Sequence, residues 1–155
     1  MWRKVLSVLS QISRFGLAAL FLFAVGAKLW YLKPFAGNVA ELLSSLKLNY
    51  ELWKWPATIA VLAAEFVVAL LLLVPRTIRI GATGAALLLI GFSVFALYYV
   101  YVFRGEALEC GCFGGIIASQ LGVSTALRNL ALLVPALLAF VGARRSRLAA
   151  SSAGI

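Results

Sequence analysis

Cys110-Gly111-Cys112 is the part of this chain with the most chemistry in it. These are its only cysteines, and they stand in a short polar segment between two long apolar runs. An extended backbone separates residues two apart by about 6.6 Å, which is at the upper limit for a disulfide. A turn at Gly111 shortens that span, because glycine accepts dihedrals other residues refuse. So small a ring is expected to be strained, and strained disulfides have more oxidising potentials. It also removes little chain entropy, which makes it a poor structural staple. The pair suits dithiol–disulfide exchange. Two blander readings stay open: thiols packed in a loop, and a clamp for a soft ion such as Cu(I) or Hg(II). The chain has no histidine and its one methionine is Met1, so a closed metal site lacks further ligands, and none is assigned.

Three ionisable groups lie inside or near the apolar runs. Glu65 follows Pro56 by nine residues, roughly 13 Å along a helix, and so falls near the middle of its run. Lys28 precedes Trp30 by two residues, and Arg128 is about one turn into the last run. Charges in hydrocarbon are expensive and usually face a partner or a cavity. A Glu65 pair with Lys28 or with Arg128 is sterically reasonable. Snorkelling to the interface accounts equally well for Lys28 and Arg128, and a protonated, hydrogen-bonded helix contact for Glu65. In the functional reading, Lys28 or Arg128 near the loop lowers a cysteine pKa and favours the exchanging thiolate. Glu65 then accepts or relays the released proton. The candidate catalytic set is Cys110, Cys112, Glu65, Lys28 and Arg128. Phe113, Tyr98 and Tyr101 could line a slot for a quinone ring, although aromatic belts mark most membrane interfaces. No other cofactor is evident.

The elements that must position these groups are helices in a membrane. The chain has 155 residues, 64% of them hydrophobic, and a mean hydropathy of +1.03, whereas a soluble domain is nearer half apolar. The excess gathers in four runs, about 12–31, 56–74, 78–103 and 123–141. Each is long enough for a hydrocarbon core of about 30 Å. The expected fold is an all-α integral membrane protein, a four-helix bundle in one domain over 1–145. Pro56 suits a first helical turn, and Pro135 should kink the last span. Gly81, Gly84, Ala85 and Gly91 give the third span a small-residue seam that could admit a neighbouring backbone, so an oligomer is permitted but not required. Between spans one and two, Phe35, Val39, Leu42, Leu43 and Leu46 share one face of a short amphipathic helix. That helix would lie in the interface, over the cysteine loop or simply on lipid. Residues 146–155 read as a flexible tail.

The net charge of +9 is placed by location rather than by total. Arg3, Lys4, Arg14, Arg76, Arg79, Arg144, Arg145 and Arg147 sit at one set of ends, with no acidic residue. Lys33, Lys47, Lys54 and Arg104 sit at the other, balanced by Glu41, Glu51, Glu106 and Glu109. This is the positive-inside bias of a bacterial inner-membrane protein rather than a nucleic-acid surface. It puts both termini in the cytoplasm and the Cys-Gly-Cys outside, where disulfides persist. Val25-Gly26-Ala27 is a weak cleavage site after a basic start and an apolar run. A signal peptide is set aside, because its removal would leave three spans and spoil the asymmetry.

Lys28 near the end of span one, Glu65 in span two, Cys110-Gly111-Cys112-Phe113-Gly114 between spans three and four, and Arg128-Asn129 opening span four resemble the MauE family of DoxX-like membrane proteins. The likeness covers about residues 12–142, and the Cys-Gly-Cys-Phe-Gly string carries most of its specificity. It implies a four-helix membrane protein of thiol and disulfide chemistry. In that family the role implied is maturation of the disulfide-rich small subunit of methylamine dehydrogenase, with a thioredoxin-like or disulfide-bearing extracytoplasmic partner. DoxX relatives imply sulfur compounds and quinone reduction. The chain lacks the second cysteine pair of four-helix oxidoreductases related to vitamin K epoxide reductase, so a partner or a quinone would have to replace it. Two other classes of function remain: a carrier of a small thiophilic species, with Cys110 and Cys112 as entry clamp, and an assembly subunit whose cysteines are incidental.

Overall fold

The computed structural model describes the backbone of residues 2–98, 101 and 123–152, and the side chains of 8–98, 101 and 126–143. Among the described residues there are five helices: α1 (Trp2–Trp30), α2 (Leu32–Ser45), α3 (Tyr50–Leu73), α4 (Ile78–Tyr98) and α5 (Val123–Ser152). No strand occurs among the described residues. Four segments of the described residues are long and apolar enough to cross a bilayer: Val8–Trp30, Tyr50–Leu73, Ile78–Tyr98 and Ala126–Ala143. Leu22, Phe23, Ile59, Phe66, Val67, Leu87, Val94, Leu127, Val134 and Leu137 are exposed on them. In water such a surface would aggregate; in lipid it is the solvated face.

The spans form a ring in which α1 packs on α3, α3 on α4, α4 on α5 and α5 back on α1. Successive neighbours run antiparallel, as in an up-down-up-down bundle. At one end, the terminal end, lie the start of α1, the α3–α4 turn and the last part of α5. At the other, the loop end, α1 gives way to α2, and α4 to the 99–122 connection. α5 continues to Ser152 and so takes in part of the segment that composition suggested was a tail.

Helix contact here depends on missing side chains. A Cβ on Gly81 would lie 2.7 Å from the Leu72 nitrogen and 2.8 Å from the Leu71 carbonyl carbon, and one on Gly84 would lie 2.8 Å from Val68 Cγ2. The small-residue seam is therefore used inside the chain, between α4 and α3. Gly91 is exposed, and a Cβ added there would meet nothing within 4 Å. Gly142 of α5, like Gly81, leaves room for a neighbour, here Ser10 of α1.

The end of α3 shows how a helix terminus is satisfied away from water. The Leu70 carbonyl accepts from the Val74 N–H at 3.2 Å, and the Leu71 carbonyl from Thr77 Oγ1 at 2.9 Å. Arg14 of α1 donates Nε to the Leu72 carbonyl at 2.6 Å and a terminal nitrogen to the Leu73 carbonyl. A residue that charge counting reads as an inside marker is thus a buried cap clamping α1 to α3.

α2 carries the amphipathic face expected of it, with one change. Phe35, Ala36, Val39 and Leu43 are buried, and Phe35, Val39 and Leu43 pack on Ala57, Val61 and Leu62 of α3. Leu46 falls outside the face because the helix stops at Ser45. There Lys47 takes a left-handed φ of 56°, and the Leu48 N–H returns to the Leu43 carbonyl at 2.9 Å, a closing turn more usual with glycine. α3 also starts earlier than its apolar run, at Tyr50, so Pro56 lies inside the helix and not in its first turn. Helical propagation through Glu51–Trp55 wins because it needs no hydrogen bond from Pro56 itself, only an open carbonyl at Leu52.

Two outcomes test this packing. Gly81→Ala should separate α3 from α4 and lower stability by about 1–3 kcal/mol, read as a lower thermal midpoint in detergent, whereas Gly91→Ala should be neutral or slightly stabilising. Arg14→Met should strand two carbonyls and cost about 1–3 kcal/mol. Arg14→Lys, a single-point donor, should recover only part of that.

Candidate functional site

The bundle interior changes character along its length. Towards the terminal end it is an apolar cluster of Leu17, Ala18, Phe21, Val68, Leu72, Leu89 and their small neighbours. From the middle towards the loop end the buried polar side chains are Lys28, Thr58, Glu65, Ser93 and Asn129, set among the alanines Ala24, Ala27, Ala36, Ala96 and Ala126. Two of the polar groups are satisfied within their own helices. Thr58 Oγ1 donates to the Lys54 carbonyl at 2.7 Å, and Ser93 Oγ to the Leu89 carbonyl at 2.8 Å.

Lys28 and Glu65 satisfy each other. The Lys28 ammonium is ion-paired with Glu65 Oε1, and each side chain is only 2% exposed. The ammonium also faces two rings, Phe35 at 5.4 Å and Phe92 at 5.6 Å. α1 thus supplies the cation, α3 the anion, and α2 and α4 the aromatic faces that hold a cation by their quadrupoles. Helical spacing puts each member where it is. Lys28 continues the inward row of Phe21, Ala24 and Val25, and Glu65 that of Val68, Ala69 and Leu72. The snorkelling reading of Lys28 is replaced by this pairing: from 1% exposure the ammonium reaches a carboxylate, not the interface.

Glu65 Oε2 and Asn129 Nδ2, both buried, have no hydrogen-bond partner among the described residues. Arg128, next to Asn129, is half-buried on α5. Tyr98 and Tyr101 are exposed, at 39% and 69%. Cys110, Gly111, Cys112 and Phe113 lie outside the described residues. By connectivity they belong to the 99–122 segment, which joins α4 to α5 at the end where α1 gives way to α2. Sequence reading brought Lys28 and Glu65 together as one of two options. It missed Asn129 as a buried member of the layer, and it missed Phe35 and Phe92 as faces to Lys28. A signal for Asn129 existed, since it recurs with Ala126, Ala136 and Ala139 at helical spacing.

A four-span helical bundle with an ion pair buried between its helices is a multi-pass integral membrane protein with polar groups in its interior. The sequence model of one family, described as methylamine utilisation protein MauE, matches residues 6–142. The chain belongs to the MauE family. No curated protein and no solved structure matches it.

The energetics of the pair are testable. Lys28→Met or Glu65→Gln alone leaves a buried partner uncompensated and should cost about 3–5 kcal/mol. The double variant should lose less than the two singles combined, because its two neutral side chains leave no orphaned charge. Equilibrium unfolding of the four proteins in bicelles gives the coupling.

Proposed function

We propose that this protein is a membrane thiol–disulfide redox protein, with Cys110 and Cys112 as its exchanging pair. The carrying observation is the Lys28–Glu65 pair buried inside the bundle, with Lys28 two residues from the end of α1 that lies on the same side as the Cys-Gly-Cys connection. Hydrocarbon tolerates such a pair only where it is held by partners, and such groups mark functional paths. The uneven charge supports a bacterial cytoplasmic membrane as the site. Eight basic residues and no acidic one lie at the terminal end, which supports an orientation with both termini inside and the cysteines outside.

The cycle has two steps. A Cys110–Cys112 disulfide is attacked by a thiolate of an extracytoplasmic partner, giving a mixed disulfide. The partner's second thiolate resolves it, so the partner leaves as disulfide and Cys110 and Cys112 as dithiol. The dithiol then passes two electrons and two protons to a quinone of the membrane, which becomes quinol, and the disulfide reforms. Arg128 favours the thiolate by its charge, Glu65 receives a proton and thereby releases the Lys28 charge from compensation, and Tyr98, Tyr101 and Phe113 border the quinone approach. Membership of a family described by methylamine utilisation supports a disulfide-bearing protein of that process as the partner, such as the disulfide-rich subunit of methylamine dehydrogenase.

Thiol trapping of Cys110 and Cys112 in membranes, with the quinone pool present and then depleted, decides the reading. Accumulation of dithiol on depletion is expected. Thiols that stay reduced throughout, and that a soft metal shields from alkylation, would replace redox exchange with the carrier function. A fully active Cys110→Ser, Cys112→Ser protein would leave only an assembly role.

A further inference from the structure

We propose that Glu65 Oε2 and Asn129 Nδ2 together form an internal hydration site, in which one water molecule links the buried ion pair to α5 and carries protons to and from Glu65. The site rests on the redox reading for its purpose but not for its existence.

The two atoms are complementary. A carboxylate oxygen only accepts, and an amide nitrogen only donates. Both side chains are more than nine-tenths buried, Glu65 at 1% and Asn129 at 4% exposure, and neither atom has a hydrogen-bond partner among the described residues. Both lie on inward rows: Glu65 with Val68, Ala69 and Leu72 on α3, Asn129 with Ala126, Ala136 and Ala139 on α5. α3 and α5 are diagonal in the ring, since each packs on α1 and on α4. Both inward rows face the bundle axis, and the proposed water joins them across it.

Register puts them at one depth. Gly81 lies against Leu72 and Gly84 against Val68, so in the antiparallel α3–α4 pair Glu65 stands opposite Leu87 and Leu88. Ser93 Oγ lies 3.5 Å from the Ala126 carbonyl, so in the α4–α5 pair Asn129 stands opposite Ile90. The two levels differ by about three residues, roughly 4 Å of helical rise. No direct hydrogen bond joins the two atoms, and a single water, which both donates and accepts, is the smallest group that serves the two at once. Buried water commonly makes about three hydrogen bonds to such groups, and the Lys28 ammonium has N–H donors beyond the one given to Glu65. Asparagine in an apolar row is otherwise unexplained, because leucine would pack there without a polar penalty.

Asn129 is thus a positioning residue. It holds the water that serves Glu65, and touches neither cysteine nor quinone in this role.

The test is water-edited solid-state NMR of the full-length, isotope-labelled protein in lipid bilayers. Magnetisation should pass from water to Asn129 Nδ2 and to the Glu65 carboxyl nearly as fast as to exposed Glu51. Asn129→Leu assigns the amide signal and should abolish transfer to Glu65, whereas Asn129→Gln should keep it. In the same variants, reoxidation of the Cys110–Cys112 dithiol should slow at least about tenfold with Asn129→Leu, with a larger D2O effect, and recover with Asn129→Gln. A dry Asn129 amide in the wild-type protein overturns the proposal and needs no variant to fold. So does unchanged reoxidation in Asn129→Leu. If water reaches both groups while Cys110→Ser, Cys112→Ser protein is fully active, the hydration site stands and the redox reading falls.

Discussion

A lysine and a glutamate held in contact inside hydrocarbon govern the architecture. Removing either charge from water is expensive, and their mutual attraction offsets this only if the geometry is kept and the surroundings are closed. Keeping it obliges α1 and α3 to stay in register over the whole bundle, with α2 and α4 supplying Phe35 and Phe92 at the ammonium. α2, an element too short to span, therefore has a structural task. Its Phe35, Val39 and Leu43 fasten it to α3 and so wall the pair.

The opposite end of the same helices is secured by different physics. Arg14 caps α3 through two carbonyls, and Gly81, Gly84 and Gly142 let backbones approach where any side chain would intrude. Close packing and satisfied termini replace the hydrophobic effect, which gives helices in lipid no reason to associate. One half of the bundle is thereby a tight apolar core. The other is free to hold polar groups and small side chains. A site and its scaffold are separated along the axis of one small domain, with the Cys-Gly-Cys connection attached to the polar half.

The membrane class, the four spans, the amphipathic α2 and the family were legible in the chain itself. Hydrocarbon admits only segments of a given length and polarity, so composition along the chain carries the fold class. The face of α2 was legible for the same reason, since spacing of Phe35, Val39 and Leu43 is a property of one helix. The ends were not. Pro56 looked like a helix start, yet α3 begins at Tyr50, because proline needs only an open carbonyl four residues back and the interface provides that freedom.

Sequence by itself determined which residues are exceptional: a lone carboxylate in an apolar run, two cations near run ends, a close pair of thiols. It could not choose between Lys28 and Arg128 as the partner of Glu65, because both lie within reach in depth and lateral neighbours are not encoded in any one helix. Tertiary structure made that choice by packing α1 on α3. It also gave Arg14 its carbonyls and turned the small-residue seam of α4 inward. It buried Asn129 in the inward row of α5 as well, a position that shuts out lipid and water only once the ring of helices has closed.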